Sequence, residues 1–273
     1  MRFRASISTG RIMTTKLILK RTLGKVARLR PTAAQRKLIL LYHSIGESPW
    51  ATPENDFRAQ MEWLSRSAKI VSLPQLLEDS FDDPFQVSIT FDDGYASLRD
   101  LALPVLQDCG AVATVFINAG LLAENVRNPS DASLGHYPED WFLSWEDVRA
   151  LAAAGWTIGS HGVEHLDLTR AAPDVVNKQL RASKQMIGAN LSQPCSYFAY
   201  TWGRHVKSLR EAVAAAGYNY ALSCEHEPLS EGFDRWAVPR INISNDYSLE
   251  DFAALAVGDW DYLGWFQKMR ARR

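Results

Sequence analysis

Short apolar runs alternate with segments of helical periodicity from residue 37 to residue 243. The apolar runs end at polar residues, and the segments between them repeat their apolar positions every three or four residues. We therefore predict strands at 37–43, 69–73, 87–91, 111–118, 156–161, 196–200, 218–223 and 236–243. We predict helices at 56–67, 96–108, 144–155, 173–187 and 206–216, and a last helix that starts near Ser248. This alternation predicts an α/β fold with a parallel sheet, closed into a barrel.

Two segments lie outside this alternation. Residues 122–143 are polar and aromatic without a period, which predicts a long functional loop. Residues 1–36 form a basic arm, in which Leu19, Leu23 and Val26 repeat at helical spacing among lysines and arginines. We therefore divide the chain into an N-terminal arm at 1–36, a main domain at 37–247, and a C-terminal helix with a basic tail at 248–273.

Charge is unevenly distributed along the chain. Residues 1–46 hold 11 Lys and Arg and no acidic residue, which leaves 19 basic and 31 acidic side chains in the remainder. The apolar share of 47% and the charged share of 22% are typical of globular proteins. Cys109, Cys195 and Cys224 are odd in number and widely spaced, so they predict neither a disulfide framework nor a metal knuckle.

The basic arm supports two interpretations. A basic amphipathic helix can lie on an anionic membrane surface, whereas a disordered or wrongly assigned start has no such role. The longest aliphatic run of the arm, 17–19, is too short for a signal-peptide core or a membrane span. We therefore expect a cytoplasmic protein in peripheral contact with a membrane, with export by an unrecognised leader as the alternative. We expect no nucleic-acid partner.

The clearest chemical signal is the segment 87–95, where an apolar strand ends in Asp92, Asp93 and Gly94. In an open or closed parallel sheet, ligands usually bind at the carboxyl ends of the strands. Successive strand residues point to opposite sides, so one aspartate can hold a metal ion while the other handles a proton. A simple turn with a helix cap is the alternative interpretation of Asp-Asp-Gly.

Two histidines follow another predicted strand at the same edge. His161 and His165 are four residues apart, and His-x-x-x-His can place two imidazoles on one metal ion. Gly162 occupies the position of the glutamate in the zinc-protease helix His-Glu-x-x-His, so this is a different motif. Two imidazoles and one carboxylate form a three-ligand face with open positions for water and substrate. Two exposed loop histidines are the alternative, and the shared sheet edge favours the metal site.

Other polar and aromatic residues lie near the same edge. His43 ends the first strand, where a lone histidine can also be an ordinary core or turn residue. Arg240 on the last strand can orient a carboxylate or cap the rim. Tryptophans near predicted loops can stack on sugar rings or belong to the core, and these are Trp141, Trp145, Trp202 and Trp236.

These motifs resemble those of the polysaccharide deacetylases of the NodB-homology superfamily, carbohydrate esterase family 4. Thr90-Phe-Asp-Asp-Gly94 resembles the first family motif and Ser160-His-x-x-x-His165 the second. Phe198–Gly203 is similar to the third motif and Trp236–Ile241 to a late motif, so the resemblance runs from about residue 38 to residue 243. The early Leu-Leu-Tyr-His-Ser-Ile segment is especially similar to the poly-N-acetylglucosamine deacetylases.

The resemblance implies a distorted (β/α)7 barrel and a metal-dependent hydrolase of carbon–nitrogen amide bonds. The substrate would carry an N-acetyl or similar N-acyl group on an amino sugar of a polysaccharide, oligosaccharide or lipid-linked saccharide. By the same resemblance, Asp93, His161 and His165 hold one divalent metal ion, Asp92 is the general base and His43 is the acid. Zinc suits the two imidazoles, and cobalt, nickel or another transition metal also fits.

The sequence departs from the family pattern at two places. Thr201-Trp202 stands where the third motif usually reads Pro-Tyr, and Gly162 replaces the usual serine or threonine, but neither change removes a ligand. A backbone N–H near Trp202 is expected to help hold the oxyanion, and Tyr200 and Arg240 are further candidates for contacting or orienting the substrate.

Two other functions are weighed against this one. An aspartate-nucleophile phosphohydrolase needs Asp-x-Asp spacing, whereas Asp92 and Asp93 are adjacent. A catalytically inactive, carbohydrate-binding member of the same fold would be supported by the loss of a ligand residue. The full ligand set is present in the sequence, and a metal assay on purified protein would separate the three functions.

Overall fold

The computed structural model describes residues 17, 20–22, 24, 36–80 and 84–271. The strands are β1 Lys37–Tyr42, β2 Lys69–Ile70, β3 Gln86–Phe91, β4 Ala113–Ile117, β5 Thr157–Ser160, β6 Tyr197–Ala199, β7 Tyr220–Leu222 and β8 Ile241–Asn242. The helices are α1 Glu54–Ser67, α2 Leu73–Glu78, α3 Leu103–Asp108, α4 Trp145–Ala153, α5 Pro173–Leu191, α6 Lys207–Ala215, α7 Leu249–Val257 and α8 Tyr262–Ala271. Shorter turns are a π-helical turn at Leu98–Ala102 and 3-10 turns at Ala119–Leu121, Ala132–Leu134 and Thr201–Gly203.

The strands form one parallel sheet in the order β7-β6-β5-β4-β3-β1-β8, with the short β2 beside the start of β3. Tyr42 at the end of β1 lies opposite Phe91 at the end of β3, so the residues that follow these strands meet at one edge. A parallel bridge between Leu222 and Val238 joins β7 to the segment before β8. The sheet therefore curls into the distorted (β/α)7 barrel, which confirms the predicted fold class.

Both faces of the sheet are buried, as a parallel sheet requires. Along β1, Leu40 belongs to the larger cluster, which packs beneath the surrounding helices, and its neighbour Ile39 belongs to a smaller cluster on the opposite face. Phe116 of β4 and Ala199 of β6 lie in that same smaller cluster. This two-sided burial explains why the strands read as continuous apolar runs rather than as an alternating pattern.

Helix α4 begins as its sequence predicts. The hydroxyl of Ser144 accepts a hydrogen bond from the backbone N–H of Asp147, whose side chain accepts one from the backbone N–H of Ser144. This capping box satisfies N–H groups that the first turn of a helix leaves free.

Prolines account for the main differences between predicted and observed elements. The helix predicted at 96–108 is a π-helical turn followed by α3, and Pro104 at the junction has no N–H to continue the i−4 bonds. The strand predicted at 236–243 is reduced to β8 and one bridge, because Pro239 cannot donate to a neighbouring strand. Pro74 likewise starts α2, where the sequence predicted only the end of a strand.

The C-terminal helices pack against the barrel domain. Phe252 of α7 is fully buried in the main core, and its ring centroid lies 5.9 Å from that of Trp63 on α1. Contacts therefore cross the boundary predicted at residue 248. No helix in the described part of the chain combines the length and apolar character that a bilayer crossing needs.

The described residues of the arm also contact the rest of the protein, at Tyr247 and at α7. Arg21 donates hydrogen bonds of 2.7 and 2.6 Å to the two carboxylate oxygens of Asp251, and Lys20 donates one of 2.7 Å to the hydroxyl of Tyr247. These two cations of the arm are therefore engaged within the protein. The residues on which the predicted amphipathic pattern rests lie outside the described ranges, namely Leu19, Leu23 and Val26.

Candidate active site

The two adjacent aspartates are placed by a sharp turn after β3. The backbone N–H of Asp92 still bonds to the carbonyl oxygen of Tyr42 on β1, at 3.0 Å, and the chain then turns. Asp93 has φ of +70° and Gly94 has φ of +80°. A left-handed conformation at a non-glycine residue costs about 1–3 kcal/mol and is most often found at functional sites. At Gly94 an added Cβ would lie 2.9 Å from Cγ2 of Ile117, so the turn also requires a residue without a side chain.

Asp93, His161 and His165 form a buried cluster at the carboxyl ends of β3 and β5. Their ligand atoms all lie within 4.8 Å of one another, and Oδ1 of Asp93 lies 3.6 Å from Nε2 of each histidine. These separations are too long for hydrogen bonds. Two nitrogen or oxygen ligands of a tetrahedral zinc ion, each about 2.0–2.1 Å from it, stand roughly 3.4 Å apart. The spacing therefore suits three ligands of one ion.

Backbone carbonyls fix the orientation of both imidazoles. Nδ1 of His161 lies 2.8 Å from the carbonyl oxygen of Ala199, and Nδ1 of His165 lies 2.7 Å from that of Leu134. Because a carbonyl oxygen can only accept, each Nδ1 donates to its carbonyl and each Nε2 is left facing Asp93. Burial lowers the pKa of His161 to about 4, so its ring is neutral, as a metal ligand must be.

The unpaired Oδ1 of Asp93 indicates that these residues fit a metal ion. Asp93 is 4% exposed, and its Oδ1 has no hydrogen-bond partner among the described residues. A buried carboxylate oxygen without a donor is costly, and buried charges are normally paired or bound to metal. The oxygen lies 3.6 Å from Nε2 of each histidine, so a cation between the three atoms could bind them all. The donor set of two imidazoles and one carboxylate fits a divalent transition metal.

Asp92 lies beside this cluster and is held by Arg240. Oδ1 and Oδ2 of Asp92 accept hydrogen bonds of 2.7 and 2.8 Å from the two terminal nitrogens of Arg240, which is fully buried. Burial by itself would raise the pKa of Asp92, but the charge and hydrogen bonds of Arg240, together with the nearby histidines, hold that pKa below its ordinary value. Oδ2 of Asp92 is also 4.0 Å from Nε2 of His161. Asp92 is therefore an oriented, ionised carboxylate next to the metal cluster.

His43 lies near Asp92, whose carboxylate senses its charge. It follows Tyr42 at the end of β1, on the strand adjacent to β3, and its side chain is half-buried. The ring of His43 contacts that of Tyr137, with centroids 5.7 Å apart. The structure thus brings His43, Asp92 and the cluster to one edge of the barrel.

Trp202 reaches the cluster from the turn after β6. Its ring is 45% exposed and meets the ring of His165 edge-on, with centroids 4.3 Å apart. Its φ is +53°, and its backbone N–H has no hydrogen-bond partner among the described residues. The ring of Trp202 is thus at the rim of the cluster, and the oxyanion role of a nearby N–H stays a prediction.

Tyr200 does not take the substrate-contacting position that the sequence predicted. Its side chain is 1% exposed, and its hydroxyl donates to the carbonyl oxygen of Trp236 at 2.9 Å. Tyr200 lies on the same side of its strand as Phe198, in the core beneath the helices, because residues two apart point to the same face. Its side chain therefore does not contact the cluster.

The predicted loop tryptophans divide into two groups. Trp141 is 53% exposed and, like Trp202, lies on the surface. Trp145 is 5% exposed and belongs to the main core, and Trp236 packs against that core. Of the two interpretations left open, the structure therefore favours the core for Trp145 and Trp236 and leaves Trp141 and Trp202 as exposed aromatic side chains.

The loop at 122–143 brings residues to the site that the sequence analysis missed. His136 is 3% exposed, its ring centroid lies 4.8 Å from that of His165, and its Nε2 lies 3.3 Å from Oδ1 of Asn118. Nδ2 of Asn118 in turn donates to the carbonyl oxygen of His161 at 2.8 Å. A lone histidine in a segment without a period carries no signal of its own, although the loop was predicted to be functional.

A comparison with known proteins identifies a family and several relatives. The family model described as polysaccharide deacetylase matches residues 82–221. YxkH of Bacillus subtilis (strain 168), assigned by its name to the polysaccharide deacetylases, is 28% identical over 222 residues, which cover 79% of this chain and 74% of that protein. A poly-beta-1,6-N-acetyl-D-glucosamine N-deacetylase of Staphylococcus aureus (strain MRSA252) is 23% identical over 210 residues, covering 72% of this chain and 69% of that protein.

Solved structures share the fold. The deacetylase PplD of Streptococcus pyogenes superposes with a TM-score of 0.69 at 22% identity, covering 82% of this chain and 99% of that one. IcaB of Ammonifex degensii gives a TM-score of 0.68 at 21% identity, covering 82% and 97%. The family match extends over half of this chain, and the chain therefore belongs to the polysaccharide deacetylases, hydrolases of the amide bonds of N-acetylated polysaccharides.

Proposed function

We propose that this protein is a metal-dependent N-deacetylase that removes the acetyl group from an amino sugar of an N-acetylated saccharide. One observation carries the proposal: the buried cluster of Asp93, His161 and His165 lies beside Asp92, whose carboxylate Arg240 holds in place. The similarity to a named poly-N-acetylglucosamine deacetylase supports an acetylated amino sugar as the substrate.

The metal ligands are Asp93 Oδ1, His161 Nε2 and His165 Nε2. A divalent ion held there would lower the pKa of a water molecule and polarise the acyl carbonyl. Zinc matches the two neutral imidazoles, and cobalt or nickel would be accepted by the same donors.

Asp92 is the proposed general base. The two bonds from Arg240 leave acceptor capacity on each carboxylate oxygen, so an attacking water molecule can still donate to Asp92. The same bonds fix the plane of the carboxylate, which places the proton acceptor before substrate binds. Asp92 would therefore take the proton as the water attacks the acyl carbon.

His43 and Trp202 complete the proposed chemistry. An amine is a poor leaving group until it is protonated, and His43 in its imidazolium form would supply that proton. The backbone N–H of Trp202 would donate to the oxygen of the tetrahedral intermediate, where negative charge develops. The proposed base and acid follow the adjacent strands β3 and β1, and the ring of Trp202 contacts His165 of the cluster.

Location remains a separate proposal. The arm would contact an anionic membrane surface through those cations that the barrel domain does not engage, each worth about 1 kcal/mol near such a surface. Sedimentation of the full chain with vesicles rich in phosphatidylserine, against neutral vesicles, tests this. The cytoplasmic location is tested by fractionating cells that express the full chain.

The proposed activity is tested with purified protein and a pentamer of N-acetylglucosamine. We expect equal amounts of acetate and free amine to appear, loss of the reaction after metal is removed with dipicolinate, and recovery on addition of zinc, cobalt or nickel. Acetate release that is unaffected in a sample shown to contain no metal would overturn the proposal.

A further inference from the structure

One short loop carries both histidines of the metal cluster. It runs from His161 to His165, between β5 and α5, and has no helical or strand hydrogen bonds of its own to give it a fixed shape. Two imidazoles can share one ion only when their Nε2 atoms converge on it. The geometry of the cluster therefore depends on the groups that bind the backbone of this loop.

The carbonyl groups of the loop are held by the turn after β4. The carbonyl oxygen of Gly162 accepts a hydrogen bond of 3.0 Å from the backbone N–H of Ala119, and that of Val163 accepts one of 2.9 Å from the backbone N–H of Gly120. An added Cβ at Gly120 would lie 2.4 Å from Cγ1 of Val163, so the two segments are in close contact. On this side the loop is held by backbone groups alone.

The N–H groups of the loop are held by one side chain, that of Gln179 on α5. Its Oε1 accepts hydrogen bonds of 2.9 Å from the backbone N–H of Val163 and from that of Glu164. Its Nε2 donates one of 3.0 Å to a carboxylate oxygen of Glu164. An amide oxygen has two lone pairs, so both acceptor positions of Gln179 are used on this loop. Gln179 is 4% exposed, and its removal would leave two N–H groups without that acceptor.

Gly162 leaves the space that the amide of Gln179 occupies. An added Cβ at Gly162 would lie 3.3 Å from Oε1 of Gln179 and 3.0 Å from the carbonyl oxygen of Glu164, both of which are tight contacts. The φ of Gly162 is +97°, a backbone conformation that favours glycine. The glycine that replaces the usual serine or threonine and the buried glutamine on α5 are therefore parts of one arrangement.

We propose that Gln179 is a positioning residue for the metal site: its amide fixes the loop so that Nε2 of His161 and Nε2 of His165 converge before the ion binds. This inference rests on the proposed function and adds to it a residue that is not itself a ligand. Loss of a group that orients metal ligands typically lowers metal affinity about 10–100-fold.

The test compares variants of Gln179 that keep or remove the acceptor. Gln179→Met removes it at nearly the same side-chain length, and Gln179→Asn keeps an amide that is too short to reach the loop. Gln179→Glu keeps the acceptor, and the exposed Glu164 can turn its carboxylate away from the new charge. Gln185→Met is the control, because it makes the same change at an exposed position of α5.

Metal affinity is measured by competition with a chromophoric zinc chelator. We expect about 10–100-fold weaker zinc binding in Gln179→Met and Gln179→Asn, and an affinity close to that of the unmodified protein in Gln179→Glu and Gln185→Met. The visible absorption of the cobalt-loaded variants reports the geometry of the ligands, which a general loss of stability would not move. It should change in the first two variants only.

Hydrogen exchange of the metal-free protein separates this inference from the proposed function. The backbone N–H groups of Val163 and Glu164 should exchange about tenfold faster in Gln179→Met or Gln179→Asn than in the unmodified protein. If the unmodified protein binds no metal but this difference appears, the proposed function fails and Gln179 still holds the loop. Unchanged exchange, or zinc binding that is equally strong with and without the acceptor, overturns the role given to Gln179.

Discussion

Asp92 and Arg240, 148 positions apart in the chain, form a fully buried ion pair with two parallel hydrogen bonds of 2.7 and 2.8 Å. The pair connects the end of β3 to the segment just before β8, so closure of the barrel and orientation of the proposed base depend on the same contact. Two-point geometry of this kind fixes a carboxylate plane that a lysine could not fix.

Removing Arg240 should therefore destabilise the protein strongly. Arg240→Gln leaves the carboxylate of Asp92 buried without its partner, and breaking a buried pair costs about 3–5 kcal/mol. Urea unfolding of the variant measures this loss. Arg204→Gln is the control, because Arg204 pairs with Asp167 but is 59% exposed, and such a pair contributes about 1 kcal/mol or less. Equal losses in the two variants would contradict the role given to Arg240.

The metal assignment predicts the behaviour of the two clustered histidines. His161→Ala and His165→Ala should each bind much less than one metal ion per chain, since each removes one of three ligands. The barrel should remain folded in both variants. His205→Ala is the control, because His205 pairs with Glu225 outside the cluster, at 3.3 Å. Elemental analysis measures the metal content of each variant, and circular dichroism checks that it is folded. Full occupancy in both cluster variants refutes the assignment.

The contacts of His136 predict a weaker metal site when that residue is removed. His136→Ala leaves all three ligands in place but removes the ring that packs on His165 and faces Asn118. Loss of a group that orients metal ligands typically lowers metal affinity about 10–100-fold. Competition with a chromophoric zinc chelator measures the change. An affinity equal to that of the unmodified protein would show that the loop does not support the metal ligands.

The acid role of His43 predicts a dependence on the leaving group. His43→Ala should slow hydrolysis of an N-acetyl amide by about 10²-fold, because an amine must be protonated as it leaves. Hydrolysis of 4-nitrophenyl acetate, whose leaving group needs no proton, should change little. Asp92→Asn should slow both reactions, since water must be deprotonated in each. Equal losses for amide and ester in His43→Ala would assign the acid elsewhere.

Much of the fold follows from local sequence patterns. The capping box of Ser144 and Asp147, the glycine after Asp93, and the buried runs of β1 and β3 are all local, so the elements could be predicted together with the shared edge of Asp93, His161 and His165. The predicted elements failed mainly where a proline ends or divides a strand or helix, because the missing N–H removes one hydrogen bond without changing the hydrophobic pattern.

The parts of the site that could not be predicted depend on distant contacts. Leu134 contributes only a carbonyl oxygen to the site, and any residue at that position offers one. His136 reaches the cluster because the loop that carries it folds back over His165, which no periodicity reveals. The prediction for Tyr200 failed for a different reason, since a tyrosine in a family-like motif gives no indication of which face of the sheet its side chain takes just after β6.

The most direct test of the account is the activity and metal content of Asp92→Asn, measured on the same sample. The account predicts about one divalent ion per chain, as in the unmodified protein, and acetate release from the N-acetylglucosamine pentamer that is slower by about 10²-fold or more. Asp92 would then be the base and not a required ligand. Near-normal acetate release by Asp92→Asn with its metal fully bound would contradict the account.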